Sequence, residues 1–111
     1  MTDVEDWHKL MQEPSPWQPE NNKLHLAVLG KLGEEAAELA KAIFRCIIQG
    51  VDGTHPVTGK HNLDELRDEI ADVRAGIELA IERFNLDQNK ILVRAEIKKR
   101  HKRKWHTTVK V

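Results

Sequence analysis

The segment Leu32–Ile47 recurs 34 residues later as Leu66–Ile81, and this duplication commits the chain to packing one helix on another. The first copy reads L-G-E-E-A-A-E-L-A-K-A-I-F-R-C-I and the second L-R-D-E-I-A-D-V-R-A-G-I-E-L-A-I. In register, Leu32 falls on Leu66, Glu35 on Glu69, Glu38 on Asp72, Leu39 on Val73, Ala42 on Gly76 and Ile43 on Ile77. Apolar residues recur at helical intervals in both copies, and β alternation is absent. Each copy offers an apolar stripe with two carboxylates along one edge, so two such helices packed together gather four carboxylates in one cleft.

With Leu32 set at zero on a helical wheel, Ala36, Leu39 and Ile43 lie within about 40° of it, and Glu35 and Glu38 about 60° and 120° to one side. Ile70, Val73, Ile77, Glu69 and Asp72 repeat the arrangement. Glu35 and Glu69 therefore border the expected core. Ala42 and Gly76 continue the same edge with small side chains that allow close approach. Four acids at the rim of a core repel one another where water is partly excluded, unless cations neutralise them. Oxygen-only donors select hard ions, Mg²⁺ with Mn²⁺ as substitute, and Mg²⁺ is commonly completed by substrate phosphates. A single E-x-x-E on a helix is ordinarily a solvated pair; the information lies in two pairs in the same phase.

The rest of the chain reads as a single all-α domain over 1–111. Thr2 or Asp3 can cap a short helix reaching Met11 or Gln12, with Trp7 on its core side. Pro14, Pro16 and Pro19 then impose an extended connector, which completes an N-terminal region over 1–21. Two acidic core helices occupy 22–84. The first starts after Asn21 or Asn22, is weakened near Gly30 and Gly33, which leaves room for a kink or break there, and stops at Gly50. Gly50–Asn62 is a loop, in which His55 and His61 are expected to be solvent-exposed. Asn62 or Asp64 caps the next helix, and Asn85 stops it. A basic helix follows over 87–105, capped by Asp87. The expected architecture is an antiparallel four-helix unit. Phe44, Ile48 and Leu79 lie off the main stripe, so a homodimer or homotetramer is expected to cover them.

The formal net charge is zero, but from Gln88 to Val111 there are nine Lys or Arg and one acid, Glu96. An acidic middle and a basic end suit a protein that holds metal on one element and phosphate on another. The single cysteine, Cys46, excludes an internal disulfide and a cysteine-based zinc framework. No apolar run reaches the length of a membrane span and no signal peptide is evident, so the expected setting is cytoplasmic and membrane partners are not expected.

These residues resemble a known family. E-E-A-A-E at Glu34–Glu38, followed by E-I-A-D at Glu69–Asp72, is similar to the paired signature of the MazG-like all-α nucleoside triphosphate pyrophosphohydrolases, and the likeness covers Leu24 to Phe84. Relatives include dimeric dUTPases, dCTP pyrophosphatases and phosphoribosyl-ATP pyrophosphohydrolases; the helices look most like the small stand-alone proteins of phages and bacteria. The resemblance implies hydrolysis of a nucleoside triphosphate, with a purine dNTP among the candidates, to monophosphate and pyrophosphate by metal-activated water attacking the α phosphate. It implies Glu35, Glu38, Glu69 and Asp72 as Mg²⁺ ligands, with Glu35 and Glu38 also catalytic and Glu38 taking the water's proton. Glu34 matches the first acid but points outward, in a supporting or exposed position. Many members carry a Lys and an Asn in the last helix that touch phosphate and sugar. Arg94 and Lys98 are the phosphate candidates here, and the Asn has no clear counterpart. Trp17 in the connector and His25 ahead of the acids are candidates for the base pocket.

Phosphoribosyl-ATP hydrolysis ranks behind a free dNTP on this reading. The alternative from another class is a non-catalytic helical module for a protein partner or nucleic acid. The run Lys98–Lys104 spreads its charge around all helix faces, with only His101 and Trp105 for stacking, so nucleic acid is not the expected partner.

Overall fold

The computed structural model describes residues 4–12 and 16–109. Four helices occur in the expected order: α1 (Val4–Gln12), α2 (Lys23–Gln49), α3 (Asn62–Phe84) and α4 (Gln88–His106). The expected caps at Thr2 or Asp3, and Pro14, lie outside the described residues.

The helix ends follow from local chemistry. The Asn22 side chain accepts from the backbone N–H groups of Leu24 and His25, at 3.0 Å each, which satisfies two donors the first turn leaves open. Gly50, at φ 87°, ends α2. Asn85 ends α3 in the left-handed region at φ 50°, where asparagine is tolerated better than most side chains. Asp87 caps α4 through Lys90 N–H at 3.0 Å. One expectation is corrected: the cap of α3 is His61, whose Nδ1 accepts from Leu63 N–H at 3.3 Å, and Asn62 is already helical. Helix α2 runs unbroken through Gly30 and Gly33.

Helices α2 and α3 pack antiparallel. Cys46 near the end of α2 meets Asn62 at the start of α3, Leu32 meets Gly76, and His25 meets Phe84. The contact line on α2 runs through His25, Val28, Leu32, Glu35, Leu39, Ala42 and Cys46, all buried or half-buried. On α3 it runs through Asn62, Leu66, Glu69, Val73, Gly76, Ala80 and Phe84. This line is turned about 40° from the expected stripe, toward the acids. Ala36 is exposed, and Ile43, Ile70 and Ile77 are 42%, 48% and 42% exposed. The cause is size: the edge with Ala42, Gly76 and Ala80 lets the backbones approach, whereas the isoleucine edge would hold them apart. Glu35 and Glu69 are thereby carried from the border of the seam into it.

The loop between α2 and α3 is held by backbone hydrogen bonds. Thr54 and His61 form an isolated antiparallel bridge, His55 N–H donates to Lys60 O at 2.8 Å, and Asn62 N–H donates to Gly53 O at 2.9 Å. His55 and His61 are half-buried, and His55 Nδ1 accepts from Val57 N–H and Thr58 N–H at 3.0 and 3.1 Å. A Cβ at Gly53 would stand 2.6 Å from Gln49 O, so only glycine fits the crossing.

Among the described residues, α2 and α3 are the one helix pair with extensive packing. Trp7, expected in the core, is 67% exposed on α1, and α4 buries no residue. The radius of gyration is 20.8 Å, against about 13 Å for a compact chain of this length. No described helix is long and apolar enough to cross a membrane.

Candidate metal centre and its surroundings

Midway along the α2–α3 seam, Glu35, Glu69 and Asp72 each offer a carboxylate oxygen, and these oxygens lie within 4.8 Å of one another. Glu69 stands on the contact line. Its Oε2 is buried and accepts no hydrogen bond from any described residue. The crowding is visible in the proton affinity. Glu69 is raised from the ordinary 4.5 to about 6, first by sharing a hydrogen bond with Glu65, then by burial and by the charges of Glu65, Asp72 and Glu38. Glu65 moves the other way, downward, through hydrogen bonds from Lys60 and Glu69.

Glu38 stands outside the trio. Its side chain is 48% exposed and lies 3.7 Å from Lys41 Nζ, although its charge reaches Glu69. The structure therefore brings together three of the four carboxylates expected at the metal and leaves the fourth at the margin. Glu34 is outward-facing, 3.6 Å from Lys31, and the same ammonium lies 3.4 Å from Glu35.

Sequence periodicity alone does not single out Glu65 and Lys60. Glu65 lies one turn before Glu69 on the same face, and that i, i+4 spacing is the signal that finds it. Lys60 Nζ sits 2.9 Å from Glu65 and 2.7 Å from Asp68, which lowers Asp68 and holds the lysine well above its ordinary value.

The residues expected to touch substrate divide between two places. Arg94 and Lys98 line a groove of about 510 Å³ on α4, together with Asn89, Lys90, Val93 and Ile97. Asn89 sits in the first turn of α4 and lines the same groove. His25 packs against Phe84 with ring centroids 4.9 Å apart, and its Nδ1 accepts from Arg83 Nε at 3.0 Å, so its contacts are largely structural. Trp17 is 81% exposed and lines a groove with Pro16, Gln18 and Pro19.

An all-helical chain with paired acidic motifs meeting across two helices defines the class: an all-α, MazG-like nucleoside triphosphate pyrophosphohydrolase. The model of the phosphoribosyl-ATP pyrophosphohydrolase family matches residues 4–101 of the 111, and the chain belongs to that family. Comparison with curated proteins and with solved structures gives no significant match.

Proposed function

We propose that the protein hydrolyses the α–β phosphoanhydride of a nucleotide triphosphate, releasing pyrophosphate, with Mg²⁺ as cofactor and Mn²⁺ as substitute. The observation that carries this reading is the buried, unpartnered Oε2 of Glu69 inside a cluster of carboxylates. A buried anionic oxygen without a donor is costly, and a hard divalent cation is the partner that an all-oxygen donor set fits. Glu35, Glu69 and Asp72 would hold the ion, which when bound supplies Lewis acidity toward phosphate oxygens and makes water a stronger acid.

The chain's own residues divide the remaining work. Lys31 anchors Glu35 from the solvent side at 3.4 Å. Glu38 keeps its carboxylate outside the trio and half in water, and in this proposal it would accept the proton that the attacking water gives up. Arg94, Lys98 and Asn89 on α4 share one groove and carry the donors for substrate phosphate and sugar. The family match makes phosphoribosyl-ATP the first substrate to test, ahead of the free dNTPs that the helices alone suggested.

A homodimer or homotetramer is part of the proposal. Phe44, Ile47, Ile48 and Leu79 are 59%, 70%, 81% and 57% exposed, and α4 packs extensively on no other described helix. That apolar area needs a protein surface to cover it. A concentration-independent monomer mass in sedimentation contradicts this part.

The deciding experiment offers phosphoribosyl-ATP and the four dNTPs with Mg²⁺ and reads pyrophosphate. Turnover is expected on at least one of them and is expected to fall at least 100-fold in Glu69→Gln and Asp72→Asn, on the order of a lost catalytic electrostatic contact. No turnover on any nucleotide, or turnover unchanged by both substitutions, overturns the reading.

A further inference from the structure

Beside the carboxylate trio, between the second half of α2 and the built loop, lies a cavity of about 270 Å³ whose lining residues other than Glu38 have no part in the proposed hydrolysis. Glu38 and Glu65 form its wall toward the metal centre, and Arg45, His55, Thr58 and Lys60 form much of the rest. Three of these groups are donors without an acceptor. Arg45 is half-buried and has no ion pair or hydrogen bond among the described residues. His55 uses Nδ1 as an acceptor for Val57 and Thr58 N–H, which places the neutral ring's proton on Nε2. Thr58 Oγ1 accepts from Lys60 N–H at 3.3 Å, and its own O–H donates to no described group. Lys60 differs, since Glu65 and Asp68 already neutralise it.

A half-buried guanidinium, an imidazole N–H and a hydroxyl lining one cavity, none of them donating to a described group although Glu38 and Glu65 share the wall, make a recess for a multiply charged oxyanion. The recess is small for a nucleoside, which ordinarily fills pockets of about 300–1,000 Å³, and suited to a phosphate group or two. We infer that this cavity is a phosphate subsite that receives the terminal phosphates of the substrate and holds the departing pyrophosphate, with Arg45 as its principal cation. The inference rests on the hydrolytic reading for its choice of anion, and its location follows from position: the cavity begins at Glu38 and Glu65, where the carboxylates around the metal centre end. Loop residues 50–61 thus acquire a role that explains why they are fixed by backbone hydrogen bonds rather than left loose.

The test is calorimetric titration of inorganic pyrophosphate into the full chain, with and without Mg²⁺, for the native protein, Arg45→Gln, Arg45→Lys and Thr58→Ala. Ribose 5-phosphate serves as the second probe, standing for the other phosphate of a phosphoribosylated nucleotide. Pyrophosphate is expected to bind, to bind about ten-fold or more weakly in Arg45→Gln, and to recover in part in Arg45→Lys. Thr58→Ala, which leaves Arg45 in place, weakens binding in the same direction and keeps the test open if Arg45→Gln fails to fold. Pyrophosphate binding equal in all four proteins overturns the subsite. So does a result in which ribose 5-phosphate, and not pyrophosphate, depends on Arg45. Arg45-dependent pyrophosphate binding in a protein that turns over no nucleotide supports the subsite and removes the hydrolytic reading. Turnover with Arg45-independent pyrophosphate binding does the reverse.

Discussion

Asn62 is 1% exposed, and its amide ties the start of α3 to the end of α2. Nδ2 donates to Gly50 O at 2.9 Å, the backbone N–H donates to Gly53 O at 2.9 Å, and the carbonyl accepts from Cys46 Sγ at 3.8 Å. Oδ1 is buried without a partner. Asn62→Ala removes one hydrogen bond, about 1 kcal/mol, and leaves the Gly50 carbonyl short of a donor in a part-buried site, about 1–2 kcal/mol more. It also removes the unpartnered Oδ1, which returns roughly 1 kcal/mol. The net loss is about 1–2 kcal/mol, or roughly 5–10 °C in melting temperature for a domain of this size. Asn62→Asp keeps the volume but replaces the donor with an acceptor, so two oxygens face each other and a charge is buried; its loss exceeds about 3 kcal/mol. Circular-dichroism melts at one protein concentration, with chelator present, read both values. The order native, then Ala, then Asp is expected. An Asp variant as stable as the native protein, or an Ala variant within about 0.5 kcal/mol of it, refutes the reasoning.

Glu69 is raised to about 6, so the folded chain holds its proton more tightly than the unfolded chain does. Its contribution to stability is complete below the unfolded value near 4.5 and is lost as pH rises through about 6. In chelator, the melting temperature of Glu69→Gln should gain on the native protein over that window; a pH-independent difference contradicts this. At Gly76 an added Cβ would stand 3.1 Å from Leu32 Cδ1, the movable end of a half-exposed side chain. Gly76→Ala is therefore expected to keep much of the about 1 kcal/mol of helix propensity it gains, whereas Gly76→Leu wedges the seam open and costs about 2 kcal/mol, both read in urea melts. Asn85, at φ 50°, is expected to accept glycine with a gain of about 0.5 kcal/mol and to lose about 1 kcal/mol or more as valine; equal melts for the two variants contradict a left-handed stop there.

The duplication around Leu32 and Leu66 made the helix pair, its antiparallel packing and the acids legible, because period and phase are properties of local sequence. The phase of contact was not. A helical wheel weighs side chains by hydrophobicity, and the isoleucines at 43, 70 and 77 drew the expected stripe toward themselves. Packing weighs them by size at the point of closest approach, and Ala42, Gly76 and Ala80 moved the seam onto Glu35 and Glu69. The rotation does not separate Glu38 from Asp72, which share an angle of about 120° on their helices; Asp72 joins the trio and Glu38 stands beside Lys41 outside it. The loop escaped notice for a different reason. Its order comes from His55 and His61 used as backbone acceptors and from a bridge between Thr54 and His61, contacts that composition read as irregular chain. Trp7 was expected in a core, but α1 packs extensively against no described helix. A single chain's sequence does not separate residues that face its own core from those that face another copy.

The central claim is that the trio Glu35, Glu69 and Asp72 holds a divalent cation in the folded protein. Titration of Mg²⁺ into chelator-treated protein, followed by calorimetry and by melting temperature, tests it without reference to any substrate. Saturable binding is expected, with a stabilisation of about 2.7 kcal/mol once free Mg²⁺ reaches 100 times its dissociation constant, and with both signals abolished in Glu69→Gln. Heats and melting temperatures that ignore Mg²⁺, or that respond equally in the native protein and Glu69→Gln, contradict it.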